Sequence, residues 1–111
     1  MSKGFRRKVL NAVKSPTEFD IAFAAGFMEG DGYFGKNKTT VSAEFNQKDK
    51  WIIDWFQQYF GGTVGITHKQ GISLGSYWRW RISGERARNF MRNVYEYLSP
   101  YRQNQINKAL T

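Results

Sequence analysis

Two carboxylates stand one residue apart in Glu29-Gly30-Asp31-Gly32, where a long apolar stretch breaks off. If that stretch is a helix, both acids lie at its C-terminal end, where the dipole is negative and carboxylates are disfavoured. Acids kept in such a place call for a cation. A hard divalent ion suits them, because it takes a carboxylate, a backbone carbonyl, waters and phosphate oxygens as ligands. The plain alternative is a helix terminus followed by a glycine turn, and the four residues alone do not decide. Other common chemistries are closed off. Cysteine is absent, which excludes disulfide scaffolds and Cys-based zinc sites and fits a reducing, intracellular compartment. The one histidine, His68, leaves no material for a multi-His metal site or a His-based triad within one chain.

The stretch that carries the acids has helix signals of its own. In Ser15-Pro16-Thr17-Glu18, Ser15 can cap, Pro16 suits the first helical position and Glu18 completes a capping box. From Phe19 to Met28 only Asp20 is polar, which predicts a helix buried on nearly every side and ending near Gly30–Gly32. Ala22, Gly26 and Gly30 recur every four residues and form one stripe of small side chains. A helical glycine costs ~1 kcal/mol relative to alanine, so close approach of a second helix is the natural offset. That helix is either an internal partner or the same helix of a second copy, which would make a two-fold dimer; the residues leave both open. A dimer would bring two Asp31 carboxylates together, an arrangement that needs a cation between them.

Downstream, the periodicity alternates between strand and helix. Tyr33-Phe34-Gly35-Lys36, a turn near Asn37-Lys38, and the alternation of Val41, Ala43 and Phe45 with polar neighbours predict a hairpin. From Lys48 to Phe60 the stripe of Ile52, Trp55, Phe56, Tyr59 and Phe60 is helical, ended by Gly61-Gly62. A second hairpin follows, with Val64, Ile66 and His68 in one arm, a turn at Gly71–Gly75, and Tyr77 to Ile82 in the other. Ala87, Phe90, Met91, Val94 and Leu98 share a face of a third helix, and Ser99-Pro100 opens a short last one. The order predicts an α+β domain over residues 16–111 with helices on one face of an antiparallel sheet.

Charge identifies the partner for the other face. The 111 residues carry 17 Lys+Arg against 9 Asp+Glu, a formal charge of +8, which favours a polyanion, and nucleic acid is the commonest. Between Asp54 and Glu85 there is no acid, while Lys69, Arg79 and Arg81 fall in that interval. If Trp78, Trp80 and Ile82 face the helices, then Tyr77, Arg79 and Arg81 face away. Thr40, Ser42, Glu44, Thr67 and Lys69 join them, with Tyr33, Lys36 and Lys38 as further candidates. These residue types contact base edges and phosphates.

The remaining features set bounds. Residues 1–15 form a basic tail without the apolar core of a secretory signal, and read as a basic arm or short surface helix. No apolar run reaches the 18 residues that a transmembrane helix needs, so no membrane partner is expected. Organellar, bacterial, archaeal and phage settings all stay open.

With these residues in place, a family resemblance emerges. Ala24-Ala25-Gly26-Phe27-Met28-Glu29-Gly30-Asp31-Gly32 resembles the LAGLIDADG motif of homing endonucleases. Phe45-Asn46-Gln47-Lys48, Phe60-Gly61-Gly62 and Trp78–Ser83 resemble segments that follow it in that family, so the likeness runs over roughly residues 16–110. It implies an αββαββα subunit whose sheet forms a saddle on the major groove of double-stranded DNA. A single motif implies a homodimer and a palindromic or near-palindromic site, cut on both strands by metal-assisted hydrolysis to leave short 3′ overhangs. It further implies Mg²⁺ or Mn²⁺ on Asp31 and the Gly30 carbonyl, Glu29 as the non-catalytic acid, and Gln47 orienting water. Arg102 is the nearest match to the family's basic residue, ahead of Gln105, with Lys50 a weaker second contributor. An arginine does not readily deprotonate, so it would stabilise phosphate charge. The alternative is a relative without cleavage activity, acting as a DNA binder or as an intron-splicing RNA cofactor.

Overall fold

The computed structural model describes residues 11–68 and 76–111; Lys69, the turn at Gly71–Gly75 and most of the basic tail lie outside them. Helix α1 (Glu18–Asp31) begins two residues later than Ser15 suggests. Its N-cap is Thr17, whose Oγ1 accepts from the Asp20 amide at 3.2 Å, while the Thr17 amide donates to Asp20 Oδ2 at 2.9 Å. The same spacing occurs twice, in Ser15/Glu18 and Thr17/Asp20, and tertiary contact selects the later one. The amides of Val13 and Lys14 both donate to the Gln58 carbonyl, at 2.9 and 3.0 Å, and hold the preceding residues outside the helix.

The prediction that α1 is enclosed on nearly every side fails. Ala24, Ala25 and Met28 are buried, but Phe19 is 84% and Phe23 45% exposed. The helix is apolar on more than one face, and the described residues cover only the face of Ala24, Ala25 and Met28.

After α1 come β1 (Tyr33–Asn37) and β2 (Thr40–Gln47), joined by the two-residue loop Lys38-Thr39 with Lys38 at φ +59°. Helix α2 (Lys50–Phe60) ends on Gly61, and β3 (Thr63–His68) and β4 (Ser76–Ser83) follow. Helix α3 (Glu85–Val94), a 3₁₀ turn at Tyr95–Tyr97 and α4 (Pro100–Leu110) complete the chain, with Ser99 capping α4 and Pro100 in its first turn. The four strands lie in the order β1-β2-β4-β3, all antiparallel, so the returning strand of the second hairpin sits beside the first hairpin. This is the α+β arrangement expected.

The helices cover one sheet face with an aromatic core. Phe56 packs on Phe45 at 4.7 Å and on Trp80 at 4.8 Å between ring centroids, and Phe90 packs on Trp80 at 5.4 Å. Buried indoles need a partner for their N–H. Trp80 Nε1 donates to the Gly61 carbonyl at 2.9 Å, tying β4 to the end of α2. Gly62, at φ +104°, is required there, because a Cβ would strike the Ile82 side chain and lie 2.6 Å from the Arg81 carbonyl. No helix among the described residues is long and apolar enough to cross a membrane.

Candidate nucleic-acid interface and acidic corner

Asp31 is the last residue of α1 and is exposed. Because β1 turns back from Gly32 and pairs antiparallel with β2, Tyr33 opposite Glu44, the end of β2 returns to the end of α1. Gln47, the last residue of β2, donates its Nε2 to Asp31 Oδ2 at 3.1 Å. Two residues remote in sequence and singled out for one chemistry therefore meet. Gly30 lies beside them at the helix end, where C-terminal carbonyls lack partners in helical register. The Met28 carbonyl is satisfied by the Gly32 amide and the Glu29 carbonyl by Arg102 Nε at 3.0 Å; Gly30 is the next in line.

Glu29 keeps different company. Its carboxylate accepts from the Ser99 hydroxyl at 2.7 Å and the Ser99 amide at 2.8 Å, so it sits on the N-terminus of α4. These bonds, the hydroxyl's foremost, hold its pKa below the usual carboxylate range. Arg102 in turn caps the α1 carbonyls, with Nη1 donating to Gln105 Oε1 at 2.8 Å. The two helix ends thus satisfy each other's orphan groups. Lys50 is engaged elsewhere, paired with Asp54 at 3.0 Å and lying over Trp78 at 5.0 Å.

The open sheet face is laid out by register. Across β1-β2-β4-β3 it presents the rows Tyr33, Glu44, Arg81, Thr63 and Asn46, Arg79, Gly65. The two arginines differ. Arg81 lies 3.6 Å from the Glu44 carboxylate, whereas Arg79 Nε is buried without a hydrogen-bond partner among the described residues. Gly65 offers no side chain beside it. Thr40 is exposed at the hairpin end, Lys38 sits in the loop, and Tyr77 pairs with Thr67 and is overlain by the Lys48 ammonium at 5.5 Å.

Two expected contacts are placed otherwise. Ser42, on β2 between Gly35 of β1 and Ser83 of β4, is only 6% exposed. Lys36 pairs opposite Val41 and so falls on the helix side with Phe34; its Nζ donates to the Thr111 carbonyl at 2.8 Å. Strand alternation excludes Tyr33 and Lys36 from one face. The same alternation adds Asn46 to the open face, a residue missed although it continues the Thr40, Ser42, Glu44 series.

The glycine stripe has no packing partner among the described residues, since a Cβ built on Gly26 or Gly30 meets nothing within 4 Å. It shares the exposed side of α1 with Phe19 and Phe23. Among the described residues no three metal-ligating side chains gather.

A comparison with curated proteins gives no match. A family model described as a LAGLIDADG-like domain matches residues 18–95, from the first residue of α1 to the start of the 3₁₀ turn, with α4 outside it. That span holds the motif helix, both hairpins and the helices between and after them, and on it the chain belongs to the LAGLIDADG homing endonuclease family, whose members generally bind DNA and are generally nucleases.

Proposed function

We propose that this protein is a homodimeric, divalent-metal-dependent endonuclease that cuts double-stranded DNA at a palindromic or near-palindromic site. The observation that carries the reading is the Asp31–Gln47 contact at 3.1 Å, on an exposed corner at the margin of an open, cationic sheet face. A pure binder has no use for a carboxylate pinned at a helix C-terminus by an amide.

The residues fit a hard cation in kind. Asp31 offers a carboxylate with Oδ2 alone engaged among the described residues, Gly30 a helix-end carbonyl, and both are exposed. Mg²⁺ or Mn²⁺ held there would supply charge neutralisation at the attacked phosphate and acidify a water. Gln47 has its amide nitrogen on Asp31, and its carbonyl oxygen, without a hydrogen-bond partner among the described residues, would orient that water. Water adds to phosphorus, the P–O3′ bond breaks, and the 3′ oxygen leaves as a hydroxyl. Arg102 holds the Glu29 carbonyl, so it serves first to fix the helix end and contributes its positive charge from there.

Dimer formation is supported by the open space over Gly26 and Gly30, flanked by exposed Phe19 and Phe23. Pairing α1 with its copy would cover this surface and set two Asp31 corners side by side, one for each DNA strand. Base discrimination falls to Arg79, which has no acidic partner among the described residues, rather than to Arg81, which lies 3.6 Å from the Glu44 carboxylate.

The test is incubation with a randomised duplex library and Mg²⁺, followed by sequencing of cut ends. Paired cuts with two-fold symmetric flanks support the proposal. Retention of duplex or intron RNA without cutting, with or without metal, replaces it with the binding role.

A further inference from the structure

Helix α4 lies outside the span matched to the family, and its composition is distinctive. From Pro100 to Leu110 it carries Arg102 and Lys108 with Gln103, Asn104, Gln105 and Asn107, and no acid; the last acid of the chain is Glu96. Ile106 and Ala109 are buried, which seats α4 along β1, the outer strand of the sheet. Between them runs a groove of about 300 Å³ with Phe34, Gly35 and Ala109 in its floor and Tyr33, Lys36, Gln105 and Lys108 along its rim.

Three observations give the groove a direction. Gln105 accepts from Arg102, which holds the carbonyl two residues before Asp31, so one end of the groove adjoins the acidic corner. Tyr33 lies over Gly35, where a Cβ would collide with its ring, so the groove opens at the margin of the sheet's outer face. Lys36 Nζ donates to the main-chain oxygen of Thr111 at 2.8 Å, and Lys108 is exposed and has no ion pair among the described residues. Cations and an amide along the rim, with no acidic side chain in the lining, suit a run of phosphates, and the apolar floor of Phe34 and Ala109 carries no base-reading pattern.

We infer that the β1–α4 groove is a second DNA contact, which grips the duplex backbone beside the cut and leaves sequence reading to the sheet. It rests on the proposed DNA-cutting role and adds a clamp outside the saddle.

The probe is a 30-bp duplex of arbitrary sequence, with affinity read by fluorescence anisotropy over a salt series. Removing one phosphate-bound cation lowers the slope of log K against log salt by about 0.9. Lys108→Ala should lower it by about that step and Lys36→Ala/Lys108→Ala by about twice as much, with thermal midpoints confirming folding. Arg92→Ala, which removes the same charge from the solvent side of α3, should leave the slope unchanged. An unchanged slope in the Lys108 variants, an equal fall in Arg92→Ala, or an effect on duplex RNA but not DNA overturns the inference while the endonuclease reading stands. No duplex binding by the wild type removes both.

Discussion

Glu29 and Asp31 are two acids of one helix end, separated by a single glycine, and their surroundings divide their work. Glu29 is turned into the protein, where it takes both donors of Ser99 and holds the start of α4. Asp31 is turned out, touched by one amide of Gln47. Charge and spacing make them equivalent candidates; hydrogen-bond company distinguishes them. A saturated carboxylate fixes structure, and one with coordination capacity left is open to a ligand.

The contrast can be broken by exchange. Asp31→Asn should reduce cleavage at least ~100-fold, the scale of losing a main charge-stabilising group, while duplex affinity changes little. Near-normal cutting would remove Asp31 from the centre. Gln47→Ala should come next, at ~10–100-fold in rate or in the metal concentration needed, as for a residue that orients a ligand. Glu29→Gln should act through stability instead. The loss is ~1 kcal/mol, since an amide replaces a carboxylate on the α4 cap. The sign follows from the depressed pKa. In wild type this stabilisation is present above the ordinary carboxylate value and fades as pH falls through the lower folded value. Urea unfolding of metal-free protein between pH 7 and 3 should therefore show the two proteins converging in acid. A constant gap would show that the Ser99 contacts do not favour the charged form.

Two further substitutions sharpen the comparison between α1's covered and open faces. Gly26→Leu leaves the subunit fold unstrained, as nothing stands within 4 Å, and should shift sedimentation to monomers. Arg79→Ala should cost ~1–3 kcal/mol of discrimination at one base pair. A uniform loss across sequences would instead make it a phosphate contact.

Much of this is legible in the order of the residues. Capping residues, glycine stops and alternating periodicity locate the α-helices and strands to within a few residues, while the 3₁₀ turn at Tyr95–Tyr97 interrupts what reads as one helix running on to Leu98. The acid-rich turn offers Glu29 and Asp31 together, and the family likeness picks out Asp31 from that pair and Gln47 from Phe45-Asn46-Gln47-Lys48. What escapes depends on neighbours in space. Ser42 alternates correctly, yet its flanking strands cover it. Charge groups Lys36 with Tyr33 although their parity differs. Arg102 reads as a phosphate ligand, and its bond to the Glu29 carbonyl depends on how α4 crosses the end of α1. The open side of α1 reads as burial because an apolar residue announces a contact without saying whose.

The clasp between α1 and α4 bears on how short a working fragment can be. A stop after Glu96 would retain the whole segment shared with the family, yet strip Phe34 and its strand of the Ile106 and Ala109 cover and release Glu29 into water. Such a shortened polypeptide should be the first to precipitate on warming, though every residue of its motif is intact.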